Sequence, residues 1–364
     1  MKNSEKVLDL LGFESLPSTL VAFFDSSEPN DFFRINLKHL SEITGVPFQS
    51  LFTIFLKLVD LGAFNLSWEY HCTHCNGIPG FKHNFSELKS EGECALCEVS
   101  FRNTLDKNIE VTFTAHASFV EIPEVVFSEA KESMITAVRE KRLKMPDQFL
   151  SGLECLNNET FRELFGEQVL SVQESLAVET VSFLFTDIKG STQMYSDLGD
   201  TKSYDIVREH FKILFAAIAR NNGIVVKTIG DAVMGSFLKP IDSLNAALEA
   251  HREFASRQLS QVGYLKIKMG IHSGSAIVVN LNRSVDYFGN SVNLAARVQG
   301  SVEDHEISFT KRILDDNSVH SFLKSKRAHL RRRMENFKGI NGAVDVYTLS
   351  ADTIDSWSTP HTTN

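Results

Sequence analysis

Two aspartates stand where a strand could hand a carboxylate to a ligand. Asp187 closes the apolar run Val181-Ser-Phe-Leu-Phe-Thr-Asp187 and leads into Ile188-Lys-Gly-Ser-Thr192. Asp231 follows 44 positions later, in Val226-Lys227-Thr-Ile-Gly230-Asp231-Ala-Val-Met234. A carboxylate beside the free backbone N–H groups of a Gly-Ser-Thr segment suits a metal ion and a phosphate chain together. The pattern makes the chain a candidate enzyme acting on a nucleoside triphosphate. A second set is Cys72, Cys75, Cys94 and Cys97, spaced C-x2-C-x18-C-x2-C. Two such knuckles bring four thiolates into a tetrahedron, the signature of a zinc ribbon. In a cytosolic chain metal is favoured over a structural disulfide. The alternative is a ribbon whose thiols bind nothing, and His71, His74 and His83 lie close enough to substitute or support. A closed four-thiolate Zn²⁺ site stabilises a fold and leaves no open position for catalysis. Cys155 stands apart and reads as a small, partly buried hydrophobe.

Regular elements must position these groups. Val181–Asp187 is apolar on both faces, as a central strand is. Tyr204, Val207, Phe211, Leu214, Phe215 and Ile218 recur at helical spacing, and Asn221-Asn-Gly223 ends that helix. Ile224–Ile229 and Ala232–Phe237 read as strands joined by the two-residue turn Gly230-Asp231, which fixes Asp231 at a hairpin tip. Leu244, Ala247, Leu248 and Phe254 mark a second helix. Leu265–Ile271 and Ser275–Val279 read as two further strands, Ser291–Gln299 as a short helix and Asp345–Leu349 as a closing strand. The order β-α-β-β-α-β predicts an α+β, ferredoxin-like sandwich with additions.

Upstream, residues 1–70 read as a small helical, winged-helix-like region. Residues 66–125 form a zinc-ribbon and β region with runs such as Ile109-Glu-Val-Thr-Phe-Thr-Ala. Residues 126–176, broken at Pro146, make a connector. Residues 177–350 carry the catalytic pattern, and 351–364 a flexible Ser/Thr-rich tail. At 364 residues, 43% hydrophobic and 23% charged, the chain has the composition of a globular protein of two or three domains. The formal charge of −9 gives no support to general nucleic-acid binding. Lys324 to Arg333 is basic but short, and reads as a solvated edge. No apolar run approaches a membrane span, and Met1-Lys-Asn-Ser-Glu-Lys lacks the apolar stretch of a secretion signal, so a cytoplasmic address is expected.

Three segments together point to a family. Phe185-Thr-Asp187-Ile-Lys-Gly-Ser, Lys227-Thr-Ile-Gly-Asp231 and Asp286-Tyr-Phe-Gly289-Asn-Ser-Val-Asn293-Leu-Ala-Ala-Arg297 resemble the class III nucleotidyl cyclase catalytic domain, over roughly half the chain. The resemblance implies that Asp187 and Asp231, with the Ile188 carbonyl, hold two Mg²⁺ or Mn²⁺ ions per active site. It implies that Asn293 meets the ribose, Arg297 the α-phosphate and Lys338 a further phosphate. Lys227 and Asp286 would select the base. An ammonium only donates and a carboxylate only accepts, which matches adenine N1 and N6 and mismatches guanine. ATP is therefore the expected substrate, cyclic AMP the product, and signalling through it the setting. The resemblance also implies a head-to-tail homodimer with composite sites. Each residue also has an ordinary reading: Asp187 as a helix cap, Asp231 as a turn residue, Asn293 and Arg297 as a surface pair. The alternatives are a guanylate cyclase, or an inactive cyclase-like regulator that binds nucleic acid.

That last alternative rests on a helix–turn–helix outline. Leu37 to Pro47, then Phe48 to Leu61, reads as two helices, with Phe64–Trp68 as a wing. The second helix carries Phe48, Leu51, Phe52, Ile54, Phe55, Leu58 and Val59, with Lys57 its one basic residue. A recognition helix needs groups that face base edges, so a protein-packing role is expected. The whole leader resembles an uncharacterised domain found ahead of some bacterial cyclases. A regulatory module is the role its position implies.

Overall fold

The chain folds as two units. In the computed structural model these are residues 1–178 with 278–285, and residues 179–277 with 286–364. The structure describes residues 2–256, 265–303 and 306–357.

The first unit runs α1 (Asn3–Leu11), α2 (Ser18–Ser26), α3 (Leu37–Thr44), α4 (Phe48–Asp60), β1 (Phe64–Tyr70), β2 (Gly80–Lys82), β3 (Glu91–Cys94), β4 (Val99–Arg102), β5 (Ile109–Ala115), α5 (Glu124–Arg139), α6 (Gly152–Leu156) and α7 (Glu159–Phe165). Its core is aromatic. Phe55 of α4 meets Phe64 and Phe113 edge-on, with ring centroids 5.1 and 5.5 Å apart, and Phe119 lies 5.3 Å from Phe64. Leu51, Phe52, Ile54, Phe55, Leu56 and Leu58 of α4 are all buried, so this helix is interior and its apolar content is accounted for by packing. The segment expected to be a wing is instead the middle strand of a sheet ordered β2-β1-β5. β3 and β4 form a separate hairpin. The stretch read as a connector folds into α5, α6 and α7 and groups with this unit.

The second unit continues with β6 (Ser175–Ile188), α8 (Ser191–Leu198), α9 (Asp200–Arg220), β7 (Gly223–Ile229), β8 (Ala232–Phe237), α10 (Pro240–Ser256), β9 (Ile267–Leu281), β10 (Ser284–Phe288), α11 (Asn290–Gly300), β11 (Ile307–Thr310), α12 (Lys311–Leu314), α13 (Asn317–Ser325), β12 (Arg331–Glu335), β13 (Val344–Leu349) and α14 (Ala351–Ser356). The sheet order is β12-β13-β11-β9-β6-β8-β7, with β10 paired to β9. The run β9-β6-β8-β7 is the ferredoxin-like order expected of β-α-β-β-α-β, and β11, β13 and β12 extend it. β6 is central, and Val181, Ser182, Phe183, Leu184, Phe185 and Thr186 are buried. Leu184 of β6 packs in one core with Leu214 and Ile218 of α9 and Leu244 and Leu248 of α10.

Several elements differ from the sequence reading. The buried face of α9 is Ile206, Val207, His210, Ile213, Leu214, Ala217 and Ile218, whereas Tyr204 and Phe215 are exposed. The two strands expected over 265–279 are one strand, β9. Two glycines of this strand are close contacts: a Cβ on Gly270 would lie 2.2 Å from the Gln299 backbone N, and one on Gly274 would lie 2.4 Å from Ser291 Oγ. Four residues of strand span about 13 Å, and eight residues of helix span about 12 Å. Gly270 and Gly274 therefore form a matched seat along which α11, the carrier of Asn293 and Arg297, lies antiparallel to β9. The basic run at 331–333 belongs to edge strand β12, where Arg331 pairs with Glu306 and Arg332 with Asp345. The expected loose tail begins as α14, capped by Ser350 with Ile354 buried; residues 358–364 lie outside the described residues. No helix among the described residues is long and apolar enough to cross a membrane.

The seat generates a contrast. Gly270→Ala should lower stability by about 1–3 kcal/mol, the usual cost of overpacking, because the atoms it meets are backbone. Gly300→Ala, with nothing within 4 Å of the new methyl, should leave stability nearly unchanged. Urea denaturation of both variants measures this, and equal midpoints would remove the seat from the account.

Candidate active site

β6 delivers Asp187 at its carboxyl end, where the strand leaves the sheet through Lys189 and Gly190. Gly190 takes the left-handed conformation, φ 74°, and α8 starts at Ser191. On the neighbouring hairpin Ile229 pairs with Ala232, so Gly230 and Asp231 alone form the turn, with Gly230 at φ 61°. The Ile188 N–H donates to Asp231 Oδ2 at 3.1 Å. The two carboxyls are hydrogen-bonded partners. Burial first, then the charge of Asp231 and its hydrogen bond, push the Asp187 carboxyl up to about 6, while Lys268 pulls the other way. Two half-buried carboxyls this close fit a hard divalent cation, which takes carboxylate and carbonyl oxygens.

Lys227 and Asp286 form a second group. Lys227 lies on β7 just after an irregularity in its pairing with β8. Its Nζ stands 2.5 Å from Asp286 Oδ2, with side-chain exposures of 33% and 8%. Asp286 Oδ1 accepts from the Tyr287 N–H at 2.7 Å, and the Tyr287 ring packs edge-on to Phe183 of β6, centroids 5.3 Å apart. Asp286 is thus fixed, and Lys227 is a half-buried donor beside it. A donor next to an acceptor is what a purine edge of mixed polarity requires. Asn293 and Arg297 share an exposed face of α11, and Lys338 is exposed in a turn before Gly339. Among the described residues no hydrogen bond or ion pair of these three side chains joins them to either group.

Sequence reasoning passed over His210. It lies three residues after Val207 and four before Leu214, on the apolar face of α9. That placement, a polar ring at core spacing, was the available signal. Its Nε2 is 3.1 Å from the Asp231 carbonyl oxygen, and burial pushes the imidazole down to about 4, so the ring is neutral. Lys268 was also missed; on the exposed-looking alternation of β9 nothing marked it.

The thiol cluster is built from two like knuckles. The Asn76 N–H donates to the Cys72 carbonyl at 2.9 Å, and the Glu98 N–H to the Cys94 carbonyl at 2.8 Å. Asn76 and Glu98 both take positive φ, 58° and 56°. Sγ separations are 3.6 Å for Cys72–Cys97 and 3.7 Å for Cys75–Cys94. These are too long for a disulfide, at about 2.05 Å. They approach the edge of a tetrahedron with Zn–S of about 2.3 Å, which is about 3.8 Å. The His74 N–H points at Cys72 Sγ, 3.4 Å away. His71 is engaged with Glu110 at 2.8 Å and groups with Glu69 and Glu110 apart from the thiols, and His83 lies 3.2 Å from the Leu66 carbonyl.

Comparison with known proteins accords with this division. Residues 173–351 match the family described as adenylate and guanylate cyclase catalytic domain. This segment is a class III cyclase catalytic domain. Residues 6–181 match a family of unknown function, DUF5939. The cyclase domain resembles receptor-type adenylate cyclase B of Leishmania donovani, 24% identical over 48% of this chain and 16% of that protein. It also resembles an adenylate cyclase of Anabaena cylindrica, 25% identical over 47% of this chain and 37% of that one. The chain therefore spans well under half the length of either relative. Among solved structures, adenylate cyclases from Trypanosoma brucei in their monomeric state match at 20% identity and TM-score 0.43, covering 47% of this chain and 88% of that chain. The adenylyl cyclase CyaB from P. aeruginosa matches at 22% and 0.41, covering 48% and 95%.

The coupling of the two aspartates can be measured directly. In metal-free Asp231→Asn, the Asp187 carboxyl should titrate below about 6 while staying above an ordinary aspartate, because burial persists. Carboxyl-carbon NMR reads it, and an unmoved midpoint would show that Asp231 exerts no charge on Asp187.

Proposed function

We propose that the cyclase domain is an adenylate cyclase, converting ATP to 3′,5′-cyclic AMP and pyrophosphate. The observation that carries the choice of ATP is the Lys227–Asp286 pair, 2.5 Å from Nζ to Oδ2. Lys227 would donate to adenine N1 and Asp286 accept from N6. Guanine presents a donor at N1 and an acceptor at O6, so both protein groups would be left unpaired, a discrimination worth orders of magnitude.

In this reading Asp187, Asp231 and the Ile188 carbonyl would hold two Mg²⁺ or Mn²⁺ ions, whose chemistry is to acidify the ribose 3′-hydroxyl and neutralise the triphosphate. Asn293 orients the ribose. The 3′-oxygen attacks the α-phosphorus in line, the new P–O bond forms as the bond to the bridging oxygen breaks, and pyrophosphate departs. Arg297 meets the charge that builds on the α-phosphate, and its planar fork suits that task. Lys338 binds a remaining phosphate. Arg297 and Asn293 are four residues apart, so one helix face serves ribose and phosphate together. A head-to-tail homodimer would set this face against the aspartates of the partner. We assign the thiol cluster a structural Zn²⁺ on its near-tetrahedral sulfur spacing, and the first unit a regulatory role on its position ahead of the catalytic domain. The interior placement of α4 supports packing over nucleic-acid reading.

Purified full-length protein with ATP and Mn²⁺ should release cyclic AMP, and with GTP far less cyclic GMP. Asp231→Ala should abolish both. A larger yield from GTP would reassign the substrate, and no product with either nucleotide would defeat the enzymatic reading. Native mass spectrometry should find one zinc per chain. Cys94→Ser should lose it and destabilise the protein by several kcal/mol, since structural zinc binding is folding free energy. An unaltered melting temperature after chelation would exclude the zinc assignment.

A further inference from the structure

His210 is a buried polar group whose donor goes to one place. Its side chain is fully buried on α9, held at 5.4 Å between ring centroids by Phe254 of α10 and flanked by Phe211 at 5.6 Å. Nε2 lies 3.1 Å from the Asp231 carbonyl oxygen, and Nδ1 is buried with no hydrogen-bond partner. A carbonyl only accepts, so the ring proton sits on Nε2 and Nδ1 is bare. A core leucine or phenylalanine would fill the same space without burying an unpartnered nitrogen.

We infer that His210 is a positioning residue for the metal-binding turn, its Nε2–H fixing the Asp231 carbonyl so that the Asp231 carboxylate faces Asp187. The turn has two residues, one a glycine free to pivot at φ 61°. Two hydrogen bonds reach Asp231 from the backbone of the strand and from the helix. The Ile188 N–H holds Asp231 Oδ2 from the strand side, and His210 holds the main-chain oxygen of the same residue from the helix side. With only the first, the carboxylate can swing with its backbone. With both, carbonyl and carboxylate are pinned, which is the arrangement that lets two like charges stay together in wait for a cation. The inference deepens the proposed metal site and rests on that reading.

The test measures Mn²⁺ binding to full-length protein by calorimetry, with no nucleotide and no turnover. His210→Phe keeps the ring and removes the donor. His210→Gln keeps a donor that can reach the same carbonyl. Wild type should bind Mn²⁺, His210→Phe should bind about 10-fold more weakly, the usual loss when a group behind a metal ligand is removed, and His210→Gln should recover most of it. In turnover, His210→Phe should lower kcat and raise the half-saturating Mn²⁺ concentration while leaving the nucleotide KM nearly constant. Equal Mn²⁺ affinity in wild type and His210→Phe overturns the positioning role and leaves the metal site standing. Failure of wild type to bind, matched by Asp231→Ala, overturns the metal reading and this inference with it. Should His210→Phe not fold, ¹⁵N NMR of wild-type histidine decides: an Nε2–H tautomer supports the assignment, and an Nδ1–H tautomer refutes it.

Discussion

Two carboxylates held against each other govern the design of the catalytic domain. Burial and the neighbouring charge push Asp187 up to about 6, so in the metal-free protein its proton is retained in the fold after an unfolded chain would have lost it. The unfolded state then binds fewer protons, and stability falls as pH rises from the ordinary aspartate range through about 6. On the proposed reading a bound cation would remove that cost. Everything around the pair resists its natural separation: a central strand buried on both faces, a turn too short to relax, and the Ile188 N–H aimed at Asp231.

The Lys227–Asp286 pair follows the opposite logic. Its charges attract, and in the absence of nucleotide each satisfies the other. On the proposed reading, an adenine that enters would replace that contact with one of similar value on each side, so binding would be nearly an exchange and selectivity would come from what fails to be replaced. The pair is therefore a filter more than an anchor. On the same reading affinity would come from elsewhere, from phosphates meeting Arg297 and Lys338, which are exposed.

Much of this was legible in the residues. The central strand showed through its two apolar faces, the hairpin through Gly230-Asp231, and the ribbon through cysteine spacing. What was hidden was hidden for physical reasons. Gly270 and Gly274 carried no signal of their role, because a glycine in a strand does not say what approaches it, yet at each of them α11 comes within contact distance of the strand. His210 was masked by its own position: on an apolar face it counts as an interruption of the pattern, when its ring reaches the carbonyl of the turn. The basic run at 331–333 resembles a solvated surface because an edge strand presents its charges outward. Asn293 and Arg297 showed only as a polar pair four apart, and an exposed polar pair on a helix is the commonest thing a surface offers.

The first unit resolves a different ambiguity. A helix–turn–helix outline requires only two helices and a short turn, and says nothing of which face is free. Here α4 spends its apolar side chains on the phenylalanine core with Phe64 and Phe113, and the supposed wing is the middle of a three-stranded sheet. A helix so enclosed cannot enter a groove without dismantling the core that holds it. The outline in the sequence is thus a consequence of how short helices pack on a small sheet.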